Sequence, residues 1–369
     1  MIPARVIHIN TERGWRGGEV QTLVLARGLA RRGHPCLLVA PPASPLQGKA
    51  EMAGLPVAPL RSRGEFDLFA VARLARLFRS FRPDLVHYHT SHAITLGTLA
   101  SLRSGRVAAI ATRRVSFPLS RNPLARWKYT RRVDRVIAVS HGILELLAAA
   151  GVPRERINVI PSAVDLDRFR ELPAREESRE SLGYAQSDFV VGAIGHLAEH
   201  KGHAVLLEAV RHLAPQHPAL RFLLVGQGEL KDDLLRRIRT LGLEARVRLL
   251  GFADEVAEIL PALDVLAFPS LSGEGSPAVL KEAMACGVPV VASRISGVEE
   301  VVRDGAEGIL VPPGNAAALA EALVRIASDR SLGIEFGRRG RERAREFGAD
   351  KMLDATVAVY RALLEENRP

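Results

Sequence analysis

Short hydrophobic runs alternate along the chain with longer segments whose apolar residues recur at helical spacing. In the segment 19–32, for example, Val20, Leu23, Val24 and Leu29 recur at near-helical spacing. Repeated alternation of strand and helix predicts a parallel sheet with helices on both faces. The strand-like runs of the first half are 4–10, 36–40, 85–89, 107–112, 135–140 and 157–161. The further helical segments there are 67–80, 92–102, 123–132 and 141–150.

The second half of the chain repeats this pattern after an interruption. The segment 161–187 is charged and breaks the alternation, so we interpret it as the connection between two domains. A length of 369 residues also indicates about two domains. We therefore predict two doubly wound, Rossmann-like α/β domains over residues 1–170 and 171–349. The strands predicted for the second are 189–195, 221–226, 247–251, 265–270, 288–293 and 308–312, and the C-terminal helices are 315–328, 331–346 and 350–366.

Composition narrows the class of protein. Hydrophobic residues make up 47% of the chain, which supports full cores. No apolar run approaches the roughly 20 residues that span a bilayer. The N-terminus leads directly into a strand-like run, so we expect no signal peptide. Cys36 and Cys286 lie far apart without metal-ligand spacing, so we interpret them as buried thiols of a cytoplasmic protein.

Charge is distributed unevenly between the halves. The whole chain carries +10, yet residues 1–170 hold 27 Lys and Arg against 11 Asp and Glu, and the remainder is net acidic. The basic half is therefore expected to meet an anionic partner: nucleic acid, an anionic membrane face or an anionic glycolipid. A general preference for arginine explains the choice of Arg over Lys, but it does not explain the asymmetry.

Four loops of the second half are predicted to share one sheet edge, because each follows a strand of a parallel sheet. Ligands of such sheets bind beyond the carboxyl ends of the strands. Lys201 stands just before a helix, as expected of a lysine that contacts phosphate. The four loops comprise residues 195–202, 226–228, 251–252 and 274–282.

The last of these loops has the features of an anion site. Ser276 can cap a helix, with Pro277 at the first helical position, and Gly287 can end it. The N–H groups of a first helical turn bind phosphate well. Glu274 and Glu282 flank this turn, and carboxylates beside a phosphate site suit sugar hydroxyl groups. The ligand is then a sugar, a diphosphate and a ribose, although Glu282 as a solvated helix residue is the alternative.

The spacing of Glu274 and Glu282, followed by EAMACGVPVVAS, resembles the E-x7-E signature of the retaining glycosyltransferases of family four. The resemblance covers nearly the whole chain and implies the GT-B fold, two Rossmann-like domains facing each other across a cleft. It implies that Glu274 contacts the transferred sugar and Glu282 the ribose. The sequence EGSP departs from the common EGFG but keeps Gly275, which precedes Ser276 in the donor site.

The same resemblance assigns further residues. It implies that the first domain binds the acceptor, that the second binds a nucleotide-sugar donor, and that the helix of residues 350–369 packs back on the first domain. Lys201 matches the lysine that neutralises the diphosphate. His196 stands where arginine is common, so ligand contact and plain loop structure are equally open. We also assign Gly251 and Phe252 to the donor site, and interpret His200 and His203 as surface residues.

In the first domain, Gly17 and Gly18 resemble the glycine pair that opens a helix in this family. A side chain there would obstruct close approach of phosphate or acceptor to the backbone, although a flexible turn is the alternative. His89 ends a strand and, by the resemblance, contacts the transferred sugar or the acceptor. Together with His87 and His92 it raises the possibility of zinc. However, no cysteine or carboxylate is near in sequence, so we predict no metal.

The segment 103–135 contains ten basic residues and one acid. Family members that act on lipid-linked acceptors dock through the first domain. With Trp127 and Tyr129 among its charges, this segment is our candidate for peripheral docking to the inner membrane face. A solvated charged helix is the alternative.

We therefore predict a retaining glycosyltransferase that moves a sugar from a nucleotide-diphosphate sugar to an anionic lipid-linked or lipopolysaccharide-type acceptor, without a metal cofactor. The resemblance implies attack from the side of the leaving phosphate, which accepts the acceptor's proton. One alternative is a sugar-nucleotide epimerase of the same fold. Another is a nucleic-acid binder, suggested by the pI of about 10.2 but disfavoured by aromatic content of only 5%. An NAD-dependent enzyme is disfavoured because no strand precedes G-x-G-x-x-G.

Overall fold

The computed structural model describes residues 3–117, 119, 123–213 and 216–366. They form two compact units. The first combines the chain up to Ala163 with the segment that begins at Ala349, and the second runs from Val164 to Gly348.

The first unit is built on a seven-stranded parallel sheet with strand order β3-β2-β1-β4-β5-β6-β7. Its central strands are buried along their whole length, as expected when helices cover both faces. The strands are β1 (Val6–Ile9), β2 (Cys36–Ala40), β3 (Val57–Pro59), β4 (Leu85–Tyr88), β5 (Ala108–Arg113), β6 (Arg135–Ala138) and β7 (Ile157–Val159).

Helices connect these strands, and several begin at a polar residue whose side chain accepts a hydrogen bond from the first turn. Ser44, Asp67, Thr90 and Ser140 act in this way, which satisfies N–H groups that have no partner within the helix. The helices are α1 (Gly17–Arg31), α2 (Pro45–Met52), α3 (Leu68–Phe81), α4 (Ser91–Ser104), α5 (Pro123–Arg131) and α6 (His141–Ala149).

The second unit has a six-stranded parallel sheet of order β10-β9-β8-β11-β12-β13. It therefore has the predicted doubly wound topology. Its strands are β8 (Phe189–Ile194), β9 (Leu220–Val225), β10 (Val247–Gly251), β11 (Val265–Phe268), β12 (Val290–Ser293) and β13 (Gly308–Val311). Its helices are α7 (Arg175–Ser181), α8 (His203–Leu213), α9 (Lys231–Thr240), α10 (Ala278–Cys286), α11 (Ala316–Ser328) and α12 (Arg330–Ala344).

The last helix, α13 (Ala349–Glu366), belongs to the first unit. It packs on α1, where Gly28 leaves room for Leu353: a Cβ at Gly28 would lie 2.4 Å from the Leu353 Cδ1 atom. Tyr360 is fully buried in the same cluster, and Arg32 pairs with Asp354 at 2.6 Å. The C-terminal helix is thus part of the hydrophobic core of the first unit.

The boundary between the units lies seven residues before the expected position at residue 170. Val164 donates its N–H to Phe347, and Phe169 is buried in the core of the second unit. The expected connection 161–187 is therefore mostly part of the second unit and contains the helix α7.

Arg179 explains how this charged segment is held. Its side chain is fully buried, and its guanidinium donates to the carbonyls of Ala262, Gln186 and Asp188 at 3.1, 2.9 and 2.9 Å. The same group pairs with the Asp264 carboxylate at 2.5 Å. A buried charge is tolerated when its donors are satisfied in this way.

The edge region between α1 and α3 contains two elements that the hydrophobic pattern did not predict, α2 and β3. Both are short, and β3 is an edge strand of three residues that ends at Pro59. Proline is tolerated at such an edge because no neighbouring strand needs its N–H. Both cysteines are buried, and in the described part of the chain no helix is long and apolar enough to cross a membrane.

The substitution Arg179→Ala is expected to lower the free energy of unfolding by about 3–5 kcal/mol, because it removes the buried partner of Asp264 and leaves several buried carbonyls without their donor. Urea denaturation measures this. Arg175→Ala is the matched control: Arg175 pairs with the same Asp264 but its side chain is 41% exposed, so a loss of about 0–1 kcal/mol is expected. Equal losses in the two variants would contradict this account.

Candidate functional site

The loops that follow β8, β9 and β10 are joined by backbone contacts at the carboxyl edge of the second sheet. Gly226 donates to the carbonyl of Gly251 at 2.7 Å, and Leu197 donates to that of Gln227 at 2.9 Å. A Cβ at Gly226 would lie 1.8 Å from the Gly195 carbonyl oxygen, and the residue has a φ of +153°. Close packing of the loops therefore requires glycine at position 226.

The loop after β8 is also joined to the loop after β11. Leu271 donates its N–H to the His200 carbonyl at 2.7 Å. Gly202 has a φ of +67°, and a Cβ there would lie 2.0 Å from the carbonyl oxygen of Pro269. Because only glycine fits this position without strain, the preceding residue, Lys201, is held at a fixed place beside the second loop.

Lys201 and Glu274 form the centre of the site. The Lys201 ammonium lies 2.6 Å from Glu274 Oε1 and 5.4 Å from the centroid of the Phe268 ring. Ser270 donates to the same carboxylate oxygen at 2.8 Å. Glu274 is only 7% exposed, so these two donors replace the solvent that its carboxylate lacks. The structure thus brings together two of the residues singled out in the sequence.

The start of α10 differs from the predicted cap. Pro277 occupies the N-cap position, and α10 begins at Ala278. The Ser276 hydroxyl does not accept from the helix N–H groups but receives a hydrogen bond from the Lys281 ammonium at 2.5 Å. The helix ends as predicted, with Gly287 at a φ of +76°.

The loop that carries Glu274 and Gly275 is packed against a second glycine. A Cβ at Gly297 would lie 2.3 Å from the carbonyl oxygen of Gly275, and Gly297 has a φ of +82°. The backbone that leads into α10 therefore packs tightly against Gly297.

Glu282 lies one turn further along α10 and is mostly buried, so the interpretation as a solvated residue is wrong. Burial raises the pKa of its carboxyl group, and the positive charge of Arg168 partly offsets this rise. Arg168 lies 4.0 Å from Glu282 and 2.7 Å from Glu255. The sequence had not indicated Arg168, which lies in the charged segment interpreted as the connection between the domains.

The histidines after β8 differ in their surroundings. His196 Nε2 lies 3.1 Å from the Glu229 carboxylate, which gives it a structural partner in the next loop. His203 was expected at the surface but is buried, and burial lowers its pKa to about 4. Phe252, beside Gly251, is half exposed at the same sheet edge. Burial also lowers the pKa of His200.

In the first unit, Gly17 and Gly18 open α1, and a Cβ added to either would meet no other described atom within 4 Å. The protein itself therefore does not require glycine here. Glu19 follows them and is buried; it accepts hydrogen bonds from the Asn10 side chain at 3.2 Å and from the Arg16 N–H at 3.1 Å. Burial raises the pKa of this carboxyl group.

His89 lies at the end of β4 in a buried row of histidines. Arg114 can only donate, so the contact of 3.2 Å from its guanidinium makes His89 Nδ1 an acceptor. Burial, aided by the charge of Arg114, holds the pKa of His89 well below its usual range, so the ring is neutral. Its Nε2–H therefore donates to His8 Nδ1 at 3.1 Å. The row begins on β1, and His8 was not indicated by the sequence.

His87 stacks on His89 with ring centroids 4.4 Å apart, so the two rings lie on the same side of the sheet. Its ring nitrogens lie 2.6 Å from the Tyr360 and Thr112 hydroxyl oxygens. His8, His87 and His89 are close enough to hold a metal ion, whereas His92 pairs with Glu65 instead. The guanidinium of Arg114 beside the row disfavours a cation there.

The basic segment 103–135 is less accessible than expected. Lys128 is buried and pairs with Glu65 at 2.6 Å, and Tyr129 is 4% exposed. These two residues therefore cannot contact a membrane surface, which corrects the docking surface inferred from the sequence. The guanidinium of Arg132 lies over the side chain of Trp127, 4.5 Å from the centroid of the Trp127 ring.

A different part of the first unit exposes large apolar side chains. Phe66, Leu68 and Phe69, at the start of α3, are 60%, 61% and 88% exposed. Isolated exposed apolar residues are common, but three within four positions form a patch. We call this group, together with Arg73 and Arg76 further along α3, the α3 surface.

This fold and this site define a glycosyltransferase with the GT-B fold. Residues 15–168 match the family described as Glycosyltransferase Family 4, and residues 174–346 match Glycosyl transferases group 1. The chain is 31% identical over 326 residues to the 2-deoxystreptamine glucosyltransferase of Streptomyces kanamyceticus, covering 81% of this chain and 82% of that protein. The chain belongs to glycosyltransferase family 4.

Two further proteins show how far the similarity extends. A UDP-Gal:alpha-D-GlcNAc-diphosphoundecaprenol alpha-1,3-galactosyltransferase of Escherichia coli is 28% identical over 281 residues, covering 73% of this chain and 72% of its own. Anabaena Alr3699/HepE, solved in complex with UDP-glucose, has a TM-score of 0.88 at 24% identity over 97% of this chain and 100% of its own. The latter similarity shows the common fold.

Proposed function

We propose that this protein is a retaining glycosyltransferase that takes its sugar from a nucleotide-diphosphate sugar bound at the carboxyl edge of the second sheet. The observation that carries the proposal is the Lys201–Glu274 pair beside the start of α10. A nucleotide-sugar donor has an anionic diphosphate joined to a neutral sugar. The Lys201 ammonium suits the diphosphate, and the Glu274 carboxylate suits the hydroxyl groups of the sugar. Binding the donor would let Lys201 turn to the diphosphate while Glu274 accepts hydroxyl groups of the sugar.

The chemistry requires departure of a charged diphosphate. Lys201 and the first-turn N–H groups of α10 would stabilise the charge that develops on the leaving oxygen. Retention of configuration then follows if the acceptor attacks from the same face as the leaving phosphate, which removes the acceptor's proton. This route needs no separate general base.

The other site residues take supporting roles in this proposal. Glu282 binds the ribose, and the positive charge of Arg168 partly offsets the rise in its pKa that burial causes. The loops with Gly251 and Phe252, with Gly275 and Ser276, and with His196 surround the nucleotide. Gly17 and Gly18 allow close approach of the ligand to the backbone, and His89 contacts the transferred sugar or the acceptor.

The related proteins support a donor of this kind. The E. coli relative is named for transfer from UDP-Gal, and the Anabaena protein was solved with UDP-glucose. Neither name describes an epimerase, so the epimerase alternative is not favoured. Nor do these relatives favour the nucleic-acid alternative.

For the acceptor, we propose an anionic lipid-linked or lipopolysaccharide-type glycan reached at the inner face of a membrane. The E. coli relative is named for a diphosphoundecaprenol-linked acceptor, which is an anionic lipid, whereas the Streptomyces relative is named for 2-deoxystreptamine. A soluble acceptor is therefore the main alternative. The α3 surface favours the lipid.

Two properties of the α3 surface suit an anionic amphiphile. Phe69, Arg73 and Arg76 recur at helical spacing on one side of α3, so apolar and basic groups share a face. A groove of about 300 Å³ lies beside them. Leu60, Leu74 and Leu77 line this groove, and Arg73 and Arg76 line it as well. Glu65 directly precedes Phe66 and accepts a hydrogen bond from the buried Lys128, which attaches the start of the patch to the rest of the unit.

We expect Glu282→Ala to weaken donor binding by about 1–3 kcal/mol, because a hydrogen bond from ribose to a charged group is lost. Calorimetric titration with the nucleotide sugar that gives the largest thermal shift measures this. Glu255→Ala is the matched control, since it removes the other acid that contacts Arg168 and should leave affinity nearly unchanged. Unaltered donor affinity in folded Glu282→Ala would contradict the assignment.

Turnover is expected to need no divalent metal, because Lys201 and the helix N–H groups supply the positive charge at the leaving diphosphate. The rate of sugar transfer in EDTA should match the rate in untreated protein. Loss of turnover in EDTA that Mg²⁺ or Mn²⁺ restores would count against this mechanism.

Replacing Phe66, Leu68 and Phe69 with serine, together with Arg73→Gln and Arg76→Gln, should release the protein from anionic vesicles at low salt. Each basic residue near such a surface contributes about 1 kcal/mol, so the loss should be readily seen by sedimentation. The comparison variant changes Arg126, Arg131 and Arg132 to glutamine, which reduces charge without altering the α3 surface. Donor affinity should stay unchanged in both variants. Wild-type protein that does not bind anionic vesicles would refute the docking proposal.

A further inference from the structure

Lys281 is a buried lysine within the stretch that identifies the family, and sequence reasoning did not single it out. Its side chain is 0% exposed, although lysine is almost never fully buried without a partner. The ammonium lies 2.5 Å from Ser276 Oγ, 3.5 Å from the Ser276 carbonyl oxygen and 4.7 Å from the centroid of the Phe347 ring. It is therefore directed at the residues that lead into α10.

The direction follows from helix geometry. Side chains on a helix lean toward its N-terminus, so a residue on the first turn of α10 reaches back beneath the start of the helix. That end of α10 already carries the positive end of the helix dipole. A buried ammonium beside it is costly for the empty protein, and an apolar side chain of similar length would cost less. The arrangement is favourable when an anion binds at the same end.

The charges around Lys281 come from three elements. Burial lowers the pKa of its ammonium to about 7, and Arg343 on α12 also lowers it, whereas Glu282 on α10 and Glu300 raise it. Because this pKa lies near 7, an additional charge nearby changes the protonated fraction of Lys281 strongly at neutral pH. A bound diphosphate would favour the charged form.

The hydrogen bond also fixes the orientation of Ser276. In its charged form Lys281 has only donors, so Ser276 Oγ then accepts from Lys281, and the hydroxyl hydrogen is free to point elsewhere. Ser276 is only partly buried and stands just before Pro277 and the first-turn N–H groups. Its O–H can thus join those N–H groups as a donor to a ligand at the start of α10.

We propose that Lys281 is a positioning residue for the donor diphosphate: it holds the Ser276 hydroxyl so that this group and the first turn of α10 bind the phosphates together. The assignment rests on the proposed function, since it names a further determinant of the same donor site. Lys281 acts through Ser276 and through its charge, without touching the sugar.

The proposal predicts that donor binding is linked to protonation. A diphosphate near Lys281 raises the pKa of the ammonium, so between the pKa of the free protein and that of the complex, binding takes up a proton. Affinity should accordingly increase as pH falls from about 8.5 towards 7. The part of this linkage that comes from Lys281 should be lost when its ammonium is removed.

The experiment is calorimetric titration of wild type, Lys281→Met and Ser276→Ala with UDP, GDP and ADP at pH 7.5, in two buffers of different ionisation enthalpy. Comparison with the methionine variant cancels titration of the nucleotide itself. We expect Lys281→Met to bind the preferred nucleotide roughly tenfold or more weakly, with less proton uptake than wild type. Thermal unfolding of Lys281→Met should occur at an equal or higher temperature, and Lys351→Met, at an exposed lysine of the first unit, should behave as wild type.

A merely structural lysine gives the opposite result. Proton uptake and affinity equal to wild type in Lys281→Met would overturn the role of Lys281 and leave the proposed function intact. So would a lower unfolding temperature with unchanged affinity. Wild-type protein that binds none of the three nucleotides would instead overturn the proposed function itself. Ser276→Ala should reproduce part of the loss in affinity, and full wild-type affinity in that variant would refute the route through the hydroxyl.

Discussion

The ion pair between Lys201 and Glu274 is the interaction on which the site depends. It joins the loop after β8 to the loop after β11, and it places an ammonium and a mostly buried carboxylate 2.6 Å apart. The Glu274 carboxylate would be unfavourable here without a donor, because a buried charge without a partner is costly. Gly202 makes the contact possible, since any side chain there would collide with the Pro269 carbonyl.

The charged groups around this pair are organised in the same way. Glu282 has Arg168, and Lys281 has Ser276 and the Phe347 ring. Neighbouring carbonyl oxygens pack closely against Gly202, Gly226 and Gly297, so the loops of the site are held together by tight backbone contacts. Preorganised donors of this kind stabilise developing charge without reorganisation at the moment of reaction.

The first unit shows a contrasting solution. His8, His87 and His89 lie in a buried row beside Arg114, and burial lowers the pKa of each ring so that all three are neutral. One guanidinium then fixes the tautomers of His89 and His8 in turn. A ligand at this row meets hydrogen-bonding groups rather than a cluster of charges.

The sheets and most helices could be predicted because their strands are short, apolar and separated by periodic helical segments. The short edge elements α2 and β3 could not, since neither carries enough residues to show a period. Glu274, Glu282 and Lys201 were recognisable from their spacing and from the loops that carry them. Lys281, Arg168 and His8 were not, because their roles depend on contacts between residues distant in sequence or on burial. Lys128 and Tyr129 were misjudged for the same reason: a basic segment does not reveal which of its residues face the core.

The central claim is that Lys201 and the start of α10 bind the diphosphate of a nucleotide sugar. The most direct measurement is the thermal shift of wild type and Lys201→Met with a nucleoside, its monophosphate, its diphosphate and the corresponding nucleotide sugar, for uridine, guanosine and adenosine. Ligand binding stabilises the folded state by mass action. The account predicts that stabilisation of wild type rises sharply with the second phosphate for one base and that Lys201→Met loses this increment. Equal shifts for nucleoside and diphosphate, or an unchanged increment in Lys201→Met, would contradict it.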